Sequence, residues 1–143
     1  MCMLKNPSAT KKFIDRNKNE VVVWKVYRVY VGEDKVFSPI YYNGSYIKPG
    51  LIVSDRLVDE YDGYSRIRRG IHVFLTREEA RKYRDGEIYG GRVFKCSAQI
   101  GDLVGVGNKP WNMGNNFFCF KHAVFTKIHI TTEEFEKGKK GRN

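Results

Sequence analysis

The chain has 143 residues, of which 41% are hydrophobic and 14% aromatic, so it suits one folded domain and wholesale disorder is excluded. Its 26 lysines and arginines outnumber 16 aspartates and glutamates, which gives a formal net charge of +10 at pH 7. This surplus favours an anionic partner: nucleic acid, a phosphorylated small molecule or an anionic membrane surface. A soluble basic protein with no such partner would show the same surplus.

Both ends of the chain are polar and basic. Residues 1–20 are rich in lysine and asparagine, and we expect a flexible basic arm there. Residues 137–143, KGKKGRN, have no apolar side chain to bury and are predicted to form a disordered basic tail. The residues between them, 21–136, are predicted to form a single α+β domain.

The middle of the chain is typical of β-strands. Runs of β-branched and aromatic residues bounded by glycine predict strands at 21–31, 71–75, 93–100 and 118–125. Asn-Gly at 43–44 predicts a tight turn, and residues 101–116, GDLVGVGNKPWNMGNN, are predicted to be a glycine-rich loop around a short strand. About seven strands without βαβ alternation predict a single, mainly antiparallel β-sheet or partly closed barrel with one or two short helices.

Two capping boxes predict those helices. Thr76 with Glu79 starts a helix over residues 77–85 that Gly86 ends, and Thr131 with Glu134 starts one that Gly138 ends.

No segment predicts a membrane span or a secretory signal, because no apolar run approaches the roughly 20 residues that a span needs. The three cysteines, an odd number at wide spacing, do not form a disulfide framework. We therefore expect a cytoplasmic protein whose Cys96 and Cys119 are buried, unreactive thiols.

Motifs for catalysis are sparse. A phosphate-binding GxxxxGK[ST] loop is absent, and GVGNKP lacks the helix that a dinucleotide loop needs. Neither a CxxC nor an HxxxH pair occurs, so we predict no metal site and no cofactor. His72 and His122 are the weak candidates for an acid or a base. A hydrogen-bonded structural histidine is the simpler interpretation of His72.

A dense group of basic residues carries the stronger signal. Seven arginines and lysines lie between residues 66 and 84, with Arg77, Arg81 and Arg84 on one helical stripe. The planar guanidinium suits phosphate, and neighbouring tyrosines can stack on bases. The predicted ligand-binding residues are Arg68, Arg69, Arg77, Arg81, Tyr83 and Tyr89, followed by Lys109 and Trp111 in the glycine-rich loop. A solvated helix face explains the same pattern.

Four short motifs follow one another along the chain: Ser38 and Pro39, Gly70 to Phe74, Glu78 to Ala80, and Lys121 to Val124. In this order they resemble the motifs of a loose group of small uncharacterised domains from bacteriophages, large DNA viruses and bacteria, some attached to pentapeptide repeats. The resemblance covers about residues 24–130. It implies a compact β-rich module in a viral setting, hence the host cell cytoplasm. It assigns no catalytic residue, because the group has no settled activity. The arginine density after Gly63 departs from the group.

Together these features predict a non-enzymatic binding module for a phosphate-bearing ligand. The ligand would be a nucleotide, such as a sequestered host signalling nucleotide, or single-stranded or structured nucleic acid. Two alternatives stay open: a nucleotide-directed transferase or phosphoesterase that uses a histidine, and a small structural component of a virion.

Overall fold

The computed structural model describes residues 3–30, 32, 35–37, 46–54, 60–61, 66–67, 70–87, 91–113 and 116–143. For residues 30, 60–61, 66, 87, 110–113 and 116–120 it describes the backbone alone.

Eleven strands, three α-helices and one short 3-10 helix make up this part of the chain. The strands are β1 (Met3–Lys5), β2 (Glu20–Tyr30), β3 (Lys35–Phe37), β4 (Gly50–Val53), β5 (Glu60–Tyr61), β6 (Arg66–Ile67), β7 (Ile71–Phe74), β8 (Gly91–Gln99), β9 (Leu103–Met113), β10 (Asn116–Phe125) and β11 (Lys127–Ile130). The helices are α1 (Pro7–Arg16), α2 (Arg77–Glu87) and α3 (Thr132–Lys139), and the 3-10 helix is Ile100–Asp102.

All the strands belong to one antiparallel sheet in the order β4-β11-β8-β2-β7-β10-β9-β1-β6-β5, with β3 also paired to β2. The sheet is not closed. The predicted α+β class with a mainly antiparallel sheet is therefore confirmed, and of the two predicted forms the structure has the open sheet.

The four runs predicted as strands are confirmed as β2, β7, β8 and β10, with ends that differ by at most two residues. The Asn-Gly turn at 43–44 lies outside the described residues.

The glycine-rich segment is where the prediction was wrong. Residues 103–113 form one long strand, β9, which pairs with β10 along most of its length and with β1 at its other edge. The glycines of this strand allow neighbouring segments to pack closely against its backbone, and they do not form turns. A Cβ at Gly107 would collide with the backbone oxygen of Leu4, and one at Gly105 would lie 3.0 Å from the Ile67 side chain.

The N-terminal residues also differ from the expected flexible arm. Asn6 caps α1 by accepting a hydrogen bond from the Ala9 N–H at 3.0 Å, and Pro7 follows at the start of the helix. The Thr10 hydroxyl accepts from the Val106 N–H of β9 at 3.0 Å, and Met3 is fully buried. The chain therefore has one helix more than predicted, α1, and this helix and β1 pack on β9.

The expected disordered tail is likewise packed in the structure. Gly138 does not end α3 but lies within it, so close to Phe94 that a Cβ would clash with that ring. Asn143 is buried, and its backbone oxygen accepts a hydrogen bond from Arg81 Nε at 3.3 Å.

The core lies on both faces of the sheet. The larger cluster includes Val23 and Tyr27 of β2 together with Phe135 of α3, and Ala9 and Phe13 of α1 pack against it. A smaller cluster on the opposite face joins α2 to the sheet through Trp24, Val26, Phe74, Ala80, Tyr83 and Val93. Alternation along β2 explains this division, because successive side chains of a strand point to opposite faces.

Helix α2 begins as predicted and ends later. The Thr76 hydroxyl accepts from the Glu79 N–H at 3.3 Å, which confirms the N-cap. Glu79 interacts with Lys121 of β10 through the Lys121 backbone and charge, and burial raises the pKa of its carboxyl.

The helix passes through Gly86 to Glu87, so the prediction that Gly86 ends it was wrong. The preceding loop contains Gly70 at φ 111°, a conformation that favours glycine.

Replacing the cap residue should weaken the attachment of α2. We expect Thr76→Ala to lower the free energy of unfolding by about 1 kcal/mol, since the Glu79 N–H loses its acceptor. Chemical denaturation would measure this, with Thr132→Ala as the matched control. Thr132 is exposed in the first turn of α3 and does not cap it. Equal denaturation midpoints for the two variants would contradict the cap.

Candidate functional site

Helix α2 covers a group of polar side chains that lie in the sheet beneath it. His72 lies two residues before Phe74 in β7, and His122 of β10 pairs directly with Phe74, so both rings lie on the α2 face. Lys109 of β9 reaches the same place, with its ammonium 4.5 Å from the centre of the Tyr83 ring. Three neighbouring strands thus direct polar groups toward one helix.

The pairing of β2 is interrupted beside this group. On one edge of β2, Trp24 pairs with Phe74 of β7, whereas from Arg28 onward the partner is β3. Lys25 lies between Trp24 and Val26 in β2, so its side chain leaves the strand on the face of Val23 and Tyr27, with Nζ 5.6 Å from the Tyr27 ring centre. At the interruption, this Nζ donates a hydrogen bond of 2.8 Å to the backbone oxygen of His72. Lys25 therefore links β2 to β7 where the regular pairing stops.

The two histidines are in direct contact. His72 Nδ1 and His122 Nε2 lie 3.1 Å apart, a hydrogen bond in which one ring donates and the other accepts. The second nitrogen of His122, Nδ1, is buried and has no hydrogen-bond partner among the described residues. When His72 donates, His122 Nδ1 carries a proton and is a donor with nothing to bind.

These side chains enclose a small cavity, here called the α2 cavity, which is lined by Lys25, Val26, His72, Phe74, Tyr83, Lys109 and His122. Its volume is about 10 Å³, room for one atom the size of a water oxygen. Lys25, His72, Lys109 and His122 are each at most 8% exposed. The cavity is thus a buried basic site.

Burial shifts the titration of its members. Burial lowers the pKa of Lys25 to about 8. It also lowers the pKa of His122 well below its usual value, with further contributions from the charges of Lys109, His72 and Lys25. In the described part of the chain, no carboxylate forms a salt bridge with Lys25. At pH 7 the site therefore combines a protonated lysine without an anionic partner and a neutral imidazole.

Three of the predicted ligand-binding residues lie on α2. The guanidinium of Arg77 lies 4.5 Å from the Trp24 ring centre, and its buried Nε has no hydrogen-bond partner in the described structure. Arg81 binds the Asn143 backbone oxygen, and Tyr83 packs on Phe74 with ring centres 5.1 Å apart. The structure brings Tyr83 together with Lys109, whereas Arg77 and Arg81 lie elsewhere on the helix.

Other predicted residues fall outside what the structure describes. Arg68, Arg69 and Tyr89 lie outside the described residues, and for Trp111 only the backbone, in β9, is described. Lys109 was predicted on a loop and instead lies buried in a strand.

Lys25 is the central residue that the sequence analysis missed. Its signal was present, because it is the one charged residue among Val21 to Tyr27 in an otherwise apolar run. A charged side chain in a strand that is covered on both faces is rarely buried without a purpose.

Among the described residues, no group of three or more histidine, cysteine or acidic side chains could hold a metal ion. None of the helices in the described ranges is long and apolar enough to cross a membrane. Comparison with models of protein families, with curated proteins and with solved structures found no match.

The buried ammonium should make stability depend on pH. Between about pH 8 and the ordinary lysine value of 10.5, the unfolded chain keeps the Lys25 proton while the folded protein releases it. Stability therefore rises with pH in this window, by about 3 kcal/mol in all relative to a Lys25→Met variant. Urea denaturation of both proteins across the window measures the difference. Parallel pH profiles would contradict it, and Lys127→Met, at an exposed position, serves as the control.

Cys96 should resist thiol reagents in the folded protein. It is 3% exposed, and burial raises its pKa to about 12, so almost no thiolate is present at pH 7. We expect iodoacetamide to label the Cys96 peptide in denatured protein and to leave it unlabelled in native protein, as peptide mass spectrometry will show. Native labelling at the denatured rate would refute this burial. The Cys119 side chain lies outside the described part.

Proposed function

We propose that the protein is a non-enzymatic binding module for a small phosphate-bearing ligand and that the α2 cavity receives an anionic oxygen of that ligand. The observation that carries the proposal is the burial of Lys25 without a carboxylate partner. The resemblance described above supports a viral setting in a host cytoplasm, where the ligand would be a nucleotide such as a sequestered signalling nucleotide.

The energetics favour a bound anion. A buried ammonium costs free energy unless an opposite charge or hydrogen bonds offset the lost hydration. Lys25 has three N–H donors, and one binds the His72 oxygen. The remaining donors have no acceptor in the described structure, so an anionic oxygen would offset the cost of burial.

His122 supplies a second donor. Because its ring is neutral at pH 7, it holds one proton, and the tautomer in which His72 donates to it places that proton on Nδ1. A ligand oxygen would then accept from both Lys25 and His122. The volume of about 10 Å³ admits one oxygen, which leaves the rest of the phosphate outside the cavity.

The contact between the histidines favours one second candidate function. Two imidazoles whose ring nitrogens lie 3.1 Å apart can pass a proton between them, and the neighbouring Lys25, with a pKa of about 8, can release one near neutral pH. A phosphoesterase or transferase acting on nucleotides would use His122 as the acid or base.

Binding can be tested directly with nucleotides. Tryptophan fluorescence should report it, because Trp24 lies in the cluster that joins α2 to the sheet. We expect ATP, AMP or inorganic phosphate to bind the native protein, and Lys25→Met to lower the affinity by about 10- to 100-fold, the usual value of a charged hydrogen bond. The control Lys127→Met removes an exposed lysine and should bind like the wild type.

Two further measurements complete this test. Mass spectrometry of the purified protein should identify a co-purifying phosphate-bearing compound. Two results would contradict the proposal: no binding of any of the three probes together with no co-purifying compound, or equal affinities in the two lysine variants.

Phosphorus NMR of the mixture of protein and ATP distinguishes a binder from an enzyme. A binder leaves ATP unchanged, which is the result we expect. Turnover of ATP that is lost in His122→Asn would show catalysis.

A further inference from the structure

A second basic group lies at the end of α3, away from the α2 cavity. After α3 the chain folds back, with the Gly141 N–H bound to the Gly138 oxygen at 2.9 Å and the Arg142 N–H bound to the Lys137 oxygen at 3.1 Å. Lys137 and Arg142 are therefore neighbours, and Lys140 lies in the turn between them.

Two arginines from other elements join this turn. Arg81 of α2 donates to the Asn143 backbone oxygen at 3.3 Å, next to Arg142. Arg92 of β8 lies against the turn, since a Cβ at Gly141 would be 3.1 Å from Arg92 Nε. We call the resulting set the α3 basic surface: Arg81, Arg92, Lys137, Lys140 and Arg142.

No aspartate or glutamate forms a salt bridge with these five residues in the ranges described. Among their neighbours, Arg84 pairs with Asp85 and Lys139 pairs with Glu136. Arg92 Nε is buried and has no hydrogen-bond partner there. Five cations on three elements therefore form one positive area.

From this arrangement we infer that the α3 basic surface binds the phosphate backbone of nucleic acid. Several cations spread along a surface match a chain of phosphates, each of which releases counterions when neutralised. A membrane surface fits less well, because anchoring also needs apolar side chains. The exposed large hydrophobic residues of the described chain all lie outside α2, β8 and α3: Leu4, Ile14, Val22, Tyr46, Leu51 and Val53.

Fluorescence anisotropy with a labelled oligothymidylate tests this inference. Five phosphate contacts on a single strand predict a slope of about −3.5 in log affinity against log salt. The triple variant Lys137→Glu, Lys140→Glu, Arg142→Glu should bind about 100-fold more weakly at about 50 mM salt, with a slope nearer −1.4. The three side chains are exposed, so the fold should persist.

The matched control changes the charge equally at another place. The control is the triple variant Lys11→Glu, Lys12→Glu, Lys18→Glu, which alters exposed residues in or just after α1. Helix α1 packs on β9, and three strands, β2, β7 and β10, separate β9 from β8 in the sheet. This control should keep at least a third of the wild-type affinity. Equal losses in both triple variants would overturn the inference by showing that net charge alone attracts the oligonucleotide.

Two more measurements remove the remaining ambiguity. If the glutamate variant unfolds, the glutamine variant Lys137→Gln, Lys140→Gln, Arg142→Gln should still lower the affinity about 10-fold. Sedimentation with phosphatidylserine vesicles, in the absence of oligonucleotide binding, would overturn the inference in favour of a membrane. The glutamate triple variant should bind ATP like the wild type, because none of its three residues lines the α2 cavity, so this inference and the proposed function can fail separately.

Discussion

The buried ammonium of Lys25 is the constraint on which the centre of the structure depends. It lies where β2 changes partner from β7 to β3, and its hydrogen bond to the His72 oxygen holds β7 beside β2. His72 contacts His122, which lies in β10. One line of polar contacts therefore joins three strands within a core where apolar side chains would cost less to bury. The anionic ligand that we propose would give this arrangement a physical reason.

The surrounding fold buries these groups. Tyr83 of α2 lines the α2 cavity, and the Trp24–Arg77 contact and the Thr76 cap hold the first turn of the helix on the sheet. Because the interior has a low effective dielectric, each donor in the cavity interacts with an anion more strongly than it would in water. The α3 basic surface has the opposite character: its lysines are exposed, and its attraction for anions is screened by salt.

The sequence predicted the parts of the fold that local chemistry decides. The β-branched and aromatic runs predicted four strands, and Thr76 and Thr131 predicted two helix starts. The glycines of β9 predicted a loop, but Gly107 is needed for the close approach of the strand to Leu4. This contact joins residues far apart in sequence, so the local pattern could not predict it. The two polar ends of the chain were predicted to be flexible or disordered for the same reason, since their packing depends on distant residues of β9 and on Phe94 of β8. The sequence also named both histidines, but their contact spans 50 residues and depends on the sheet register.

Carbon-13 NMR at Cε of Lys25, with and without bound nucleotide, measures whether this ammonium is buried and whether it meets an anion. We expect Lys25 to titrate near pH 8 in the free protein, because burial without an anionic partner destabilises the charged form. We also expect a bound phosphate-bearing ligand to raise this pKa, since an adjacent anion favours the ammonium. Titration of Lys25 near the ordinary value of 10.5 in the free protein would show that the ammonium is not buried, and a low pKa that bound nucleotide leaves unchanged would show that no anion reaches it.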